Sequence, residues 1–253
     1  MAGKRLTTKM AAVALALGLT GTATAGCNTE LFSDVAVKSD NVLLWKGKEM
    51  FRVTPDGKLF YAVHPVSLDA SQQAALADYN KMVRTELPYI SKSLSTAITS
   101  AWQSLDNVLK TELGEKSRLR GEVSQYHRYI QRKVNTSLYD EDLSPRLNHE
   151  LLEQTAQEVR ASLPQLVATV ASKGLMDIAA QSGGEENPLS YISDRLLDVQ
   201  GKVSDTIAEQ RVKAAPVEND LCQRLTQWQQ KEEKIQDLIP ALASWKTVKV
   251  TPR

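Results

Sequence analysis

Two cysteines and three histidines are the side chains of this sequence best suited to chemistry, and their spacing decides which chemistry. Cys27 and Cys222 stand 195 positions apart, so neither belongs to the C-x-x-C pair of a thiol–disulfide catalyst. His64, His127 and His149 show no metal-ligand spacing. His149-Glu150-Leu151-Leu152-Glu153 opens like the helix motif of zinc proteases, but a glutamate stands where the second histidine belongs. The sequence has no G-x-S-x-G nucleophile turn, no phosphate-binding loop and no G-x-G-x-x-G. Gly183-Gly184 is an isolated pair, suited to a helix C-terminus. The acidic groups Asp140-Glu141-Asp142 and Glu185-Glu186 lack the spacing of a calcium loop. These patterns predict no catalytic residues, no cofactor and no metal. The alternative is an enzyme, such as a hydrolase, whose residues meet from distant helices without a local motif.

The stretch Arg118 to Lys133 (RLRGEVSQYHRYIQRK) is basic and carries two tyrosines. Nucleic-acid helices interleave cations and aromatics in this way, and so does the solvated face of any helix beside an apolar stripe. The charge of the whole chain separates the two readings. The 31 basic and 30 acidic residues nearly cancel, which leaves no electrostatic footprint for nucleic acid. Lipid headgroups or lipopolysaccharide phosphates are the better-matched partner for that face.

Helices must carry most of these residues. Leu76, Tyr79, Val83, Leu87, Ile90, Leu94, Ile98, Trp102, Leu105, Leu109 and Leu113 step by a mean of about 3.7, the α-helical period. The stripe keeps its phase through Pro88, where a kink or tight break is expected. Asp69 and Gln72 form a capping-box pattern ahead of it. Leu119, Val123, Tyr126, Ile130, Val134 and Leu138 form a second stripe. Leu152, Ala156, Val159, Leu163, Leu166 and Val170 form a third at heptad spacing, interrupted by Pro164. Ser144-Pro145 reads as its N-cap and first helical residue. Asn187-Pro188 opens a fourth helix with Leu189, Ile192, Leu196, Val199, Val203 and Ile207 on one face. Pro216 punctuates, and a helix bearing Cys222, Leu225 and Trp228 runs toward Pro240. A segment around Leu76–Pro88 recurs weakly at Leu152–Pro164, as similar kinked helices or a duplication would produce.

Before the helices, residues 34–64 alternate like strands, and Thr54-Pro55-Asp56-Gly57 supplies the turn of a hairpin. Trp245 to Val250 reads as one more strand. The fold class expected is mainly α (α+β): a small N-terminal antiparallel β layer packed on long, kinked, antiparallel helices. The expected division is residues 26–66 for the strands, 67–240 for the helical body and 241–253 for a tail.

The N-terminus is of a different kind. Lys4, Arg5 and Lys9 precede the ten-residue apolar run Met10–Leu19, and small residues follow, ending Ala23-Thr24-Ala25. This is the three-part pattern of a secretory signal peptide, residues 1–25, cut between Ala25 and Gly26. Its apolar run is half the roughly 20 residues that span a bilayer, and no longer run follows, so no transmembrane helix is expected in the mature chain. Removing residues 1–25 takes away three cations and no anion, leaving a net charge of about −2. In an oxidising compartment an even cysteine count favours a structural disulfide between Cys27 and Cys222; in a reducing one the two would be unrelated thiols. A lipid anchor on Cys27 is the alternative, although Thr24 stands where lipoprotein signals carry a branched aliphatic residue.

The order of signal peptide, early cysteine and Arg52-Val53-Thr54-Pro55-Asp56-Gly57 resembles the YggN-type family of Gram-negative bacteria. Leu68-x-Ala70-x-Gln72, Asp78-Tyr79, Arg84-x-x-Leu87-Pro88 and the late Asp220-x-Cys222 fit as well. The match is close over Cys27–Ile90 and thin up to Leu221, and the tail after Trp228 looks longer than the family's. The resemblance implies periplasmic residence, supports pairing of Cys27 with Cys222, and supplies no catalytic residues. The resulting expectation is a non-catalytic periplasmic protein that binds or assembles with an unknown envelope protein or lipid. An envelope lipid or lipopolysaccharide binder is the alternative.

Overall fold

The computed structural model describes residues 27–184 and 186–252. The proposed signal peptide and its Ala25–Gly26 cleavage site lie outside the described residues. The described chain is mainly α with one antiparallel β layer. Its strands are β1 (Cys27–Leu31), β2 (Asp34–Lys38), β3 (Asn41–Lys46), β4 (Glu49–Val53), β5 (Leu59–Tyr61) and β6 (His64–Pro65). Helices α1 (Ala70–Leu113) and α2 (Arg118–Leu138), strand β7 (Arg146–Leu147), and helices α3 (His149–Gln181) and α4 (Pro188–Leu238) follow. A 3-10 turn (Pro240–Leu242) and β8 (Val248–Pro252) end it.

Period-two alternation explains the sheet. Strands β2 to β6 form a meander, with β7 added beside β2, in the order β6-β5-β4-β3-β2-β7. The register Val35↔Leu44↔Phe51 and Val42↔Val53↔Leu59 puts all six side chains on one face, and all are buried. That face meets α1, whose Leu76, Tyr79, Val83 and Leu87 are buried in the same core. Asn80 of α1 is buried too and donates to the Val53 carbonyl at 2.8 Å, holding helix to sheet. The expected Pro-Asp-Gly turn closes β4 onto β5. Gly57 sits at φ +78°, and a Cβ there would lie 1.8 Å from the Gln73 carbonyl oxygen, so glycine lets the turn press on α1.

The helices run up and down. Thr99, Trp102 and Asp106 of α1 face Gln131, His127 and Arg120 of α2 in antiparallel order. Gln72, Tyr79, Glu86 and Glu112 of α1 meet Leu238, Glu232, Arg224 and Lys202 of α4, also antiparallel. The capping box of Asp69 with Gln72 forms as expected, and Asn187 with Pro188 starts α4.

Two expectations are corrected. At Pro88, where the sequence predicts a kink or a break, the helix is not broken; Pro216 does not separate two helices, and Pro164 likewise lies inside a continuous helix. A helical proline leaves one carbonyl, four residues back, without its partner. For Pro88 and Pro216 those residues, Arg84 and Val212, are exposed, so water can take the bond. Ser144-Pro145 does not start α3. The N-cap is Asn148, whose side chain accepts from the Leu151 N–H at 2.9 Å, while Arg146 and Leu147 pair with β2 instead.

Candidate functional site

Cys27 and Cys222 are joined by a disulfide, Cα to Cα 5.8 Å. Cys27 opens β1, which pairs antiparallel with β8. The bond therefore fastens this two-stranded ribbon to α4. Polar contacts reinforce it: the Val250 N–H donates to Gln229 of α4 at 2.6 Å, and the Ser33 hydroxyl to the Lys246 carbonyl at 2.6 Å.

The three histidines fall in separate elements. His64 is exposed in β6. His127 stacks on Trp102 with ring centres 5.3 Å apart, and burial pushes its pKa down. Its Nε2 and the Trp102 Nε1 are both buried without a hydrogen-bond partner among the described residues. His149 lies 2.5 Å by its Nδ1 from Asp34 Oδ1, which also accepts its backbone N–H at 2.9 Å. The Asp34 hydrogen bond raises the His149 pKa. Aspartate beside histidine is two thirds of a hydrolytic triad, yet among the described residues no hydroxyl or thiol is bonded to this ring. Asp34 acts here as a cap from β2 on the start of α3.

Ion pairs hold two of the five cations of the basic stretch. Arg120 makes a bidentate contact with Asp106 at 2.7 and 2.9 Å. Lys133 pairs with Glu158 at 3.0 Å, and the Tyr129 hydroxyl donates to the same carboxylate. Arg118, Arg128 and Arg132 are exposed. An open groove of about 460 Å³ between α2 and α3 is lined partly by Arg132 and Lys133. In the acidic loop, Lys38 bridges Asp140 and Asp142, each at 2.8 Å. The Lys38 hydrogen bond lowers the Asp142 pKa to about 2. Gly183 and Gly184 follow the α3 cap, which is Ser182.

Two features escaped the sequence reading. The first is Glu232, only 3% exposed. It accepts from the Tyr79 hydroxyl and the Trp228 indole N–H, both at 2.8 Å, and from the Thr247 backbone N–H at 2.9 Å. One carboxyl group thus joins α1, α4 and the segment before β8. Burial, then the Glu232 charge, push the Tyr79 pKa well up, keeping its hydroxyl a donor. The signal was present: Glu232 continues the buried stripe of Leu221, Leu225 and Trp228, an acid at a core position. The second is a groove of about 410 Å³ between α1 and α4, walled by Ala97, Ile98, Ala214 and Val217. Small residues left it open, and only the juxtaposition of two distant segments reveals it.

The chain belongs to the family described as protein of unknown function (DUF2884), whose model matches residues 27–248. The similarity therefore extends through the helical body and most of the tail, beyond the part where the sequence resemblance was close. The chain is similar to the uncharacterized protein YggN of Escherichia coli K12, 22% identical over 220 residues, covering 85% of this chain and 91% of the relative. The same protein from the O6:H1 and O157:H7 strains matches with the same figures. No solved structure matches the chain.

Proposed function

We propose that the protein is exported to the periplasm and works there as a non-catalytic binding protein. The observation that carries the reading is the Cys27–Cys222 disulfide, which ties the start of the described chain to its last long helix. Such bonds persist in oxidising compartments and are rare in a glutathione-buffered cytosol. The signal-peptide pattern of residues 1–25 ends two positions before the bonded Cys27, so cleavage after Ala25 would leave the disulfide intact. A bonded sulfur has no free thiolate for lipidation, which favours the cleaved form over the Cys27-anchored one. No helix among the described residues is long and apolar enough to cross a membrane.

Intact-mass analysis of protein from the periplasmic fraction tests this. The expected mass is that of a chain starting at Gly26, two hydrogens lighter than the dithiol. An uncleaved chain or two free thiols would overturn the export reading, and a diacylated Cys27 would replace the free form starting at Gly26 with the lipid-anchored one. Native mass spectrometry of the same sample should show a retained small-molecule or protein adduct. A bare chain that turns over an envelope ester, amide or glycoside would overturn the binding reading.

A further inference from the structure

We infer that the groove between α1 and α4 is a binding site for one single-chain anionic amphiphile, an alkyl chain with a carboxylate or phosphate head. This rests on the binding reading above and names the site and the ligand class for it.

The walls carry the first part of the argument. The groove spans Tyr89 to Ala101 of α1, about 18 Å at 1.5 Å per residue, and Gln210 to Val217 of α4. Its volume of about 410 Å³ lies within the roughly 300–1,000 Å³ of small-molecule sites. Ala97, Ile98, Ala214 and Val217 give it apolar sides. Packing along α4 shows the same opening from the other side. Between Val199 and Leu221 the only fully buried residue is Gln210, while Val203, Ile207, Ala214 and Val217 are half-covered. Below that stretch, Leu221, Leu225, Trp228, Glu232 and Ile235 are all buried. The apolar stripe of α4 is thus filled at one end and open along the groove. A long, narrow, apolar trough suits an extended alkyl chain.

Charge sets the head group. Lys92 and Lys213 line the groove and are exposed, which places them at its opening, and no carboxylate lines it. Lys92 has no ion pair among the described residues, and the nearest acid to Lys213 is Glu209 at 3.9 Å. Arg224, beside Tyr89, is by contrast held by Glu86 and Asp220 at 2.8 and 3.0 Å and has no charge to spare. Two lysines without strong partners, over an apolar trough, are complementary to an anion with a tail. Ser93, Thr96 and Ser100 add hydroxyl donors along the α1 side.

Isothermal titration of the folded, disulfide-bonded mature protein tests the assignment with four probes: dodecanoate, dodecyl phosphate, lauroyl-lysophosphatidylglycerol and uncharged dodecyl maltoside, each below its micellar concentration. The three anions should bind one per chain and at least about tenfold more tightly than the maltoside. A preference among them separates a fatty acid from a lysophospholipid as the natural source, and either preference supports the shared chemistry. Affinity should rise up to about fourfold per added methylene, then stop rising once the groove is full. Ala97→Trp and Ala214→Trp, each filling the trough from one wall, should abolish binding while circular dichroism stays that of the parent. The surface pair Lys92→Glu with Lys213→Glu should weaken dodecyl phosphate at least about tenfold and leave the maltoside within about twofold. Absence of saturable binding, equal affinity for anion and maltoside, or unchanged affinity in both tryptophan variants would overturn the site. A retained protein adduct with no amphiphile binding would overturn it while leaving the binding function standing.

Discussion

Replacing Glu232 should loosen three parts of the molecule at once. The carboxyl accepts from the Tyr79 hydroxyl, the Trp228 indole and the Thr247 amide at 2.8–2.9 Å, and all three bonds are buried. Glu232→Ala leaves three donors without an acceptor. A buried donor stranded in this way costs about 1–3 kcal/mol. Water entering the space left behind would recover part of that, so the expected loss is about 3–5 kcal/mol. For a chain of this size each kcal/mol moves the melting temperature by roughly 2–4 °C, giving a fall on the order of 10 °C. Glu232→Gln separates shape from charge. Its carbonyl oxygen can still accept from Tyr79 and Trp228, but its NH₂ faces the Thr247 N–H, donor against donor, at a cost of about 1–3 kcal/mol. Tyr79→Phe, which removes a donor and keeps the acceptor satisfied by two others, should cost least. Urea unfolding followed by far-UV circular dichroism and tryptophan fluorescence ranks the three. If Glu232→Ala lies within about 1 kcal/mol of the parent, or Tyr79→Phe costs more than Glu232→Ala, the carboxyl is not the fastening point described.

Cys222→Ser opens a 195-residue loop, and the chain-entropy account puts the loss at about 5 kcal/mol, or roughly 10–20 °C in melting temperature; calorimetry showing no shift would remove the structural role of the bond. Gly57→Ala should cost about 2 kcal/mol or more, because φ +78° is strained for alanine and its Cβ would strike the Gln73 backbone; an unchanged denaturant midpoint counts against that close approach. His149 has its pKa raised by Asp34, so its contribution is complete below the unfolded value of about 6.5 and fades as pH climbs through the folded value. The stability gap between parent and His149→Asn, read by urea unfolding from pH 5.5 to 8.5, should therefore shrink as pH rises; a widening gap contradicts the geometry. His127, lowered by burial, has the opposite sign, and parent against His127→Phe should lose stability as pH falls below about 6.5.

Periodicity made the long elements legible. Leu76 to Leu113 step at the helical period because one face of α1 is buried along most of its length, and the residues of the stripe are largely the buried ones. The turn at Gly57 was legible because its chemistry is local. Proline misled for the same reason: its local rule is to break a helix, whereas α4 runs through Pro216 without interruption and is buried again from Leu221. Ser144-Pro145 had the right residues for a helix start, but Val35 and Ala36 of β2 recruit Leu147 and Arg146 into the sheet, and sequence alone does not show that partner. Glu232 was legible as an acid on an apolar stripe, but its partners were not. Tyr79 lies 153 positions away, and only the fold brings that hydroxyl to the acid. The α1–α4 groove is harder still, since it consists of the space that Ala97 and Ala214 do not fill.

The placement of these features along α4 links stability to binding. The disulfide at Cys222, the indole of Trp228, the carboxyl of Glu232 and the amide of Gln229 holding Val250 all lie within about three turns of one another in the C-terminal part of α4. That end is also where β8 packs and where the sheet-facing half of α1 meets α4. The groove opens on the other side of Leu221, where α4 keeps one fully buried residue in more than twenty. Proteins open locally at free energies set by how many buried contacts each segment has. A helix stapled over its last turns can move over its middle turns without endangering the fold. The tightly fastened end fixes the position of α4 against α1, and the lightly packed stretch beyond it leaves width for a guest. Stability concentrated at one end is what makes an adjustable trough at the other compatible with a single folded state.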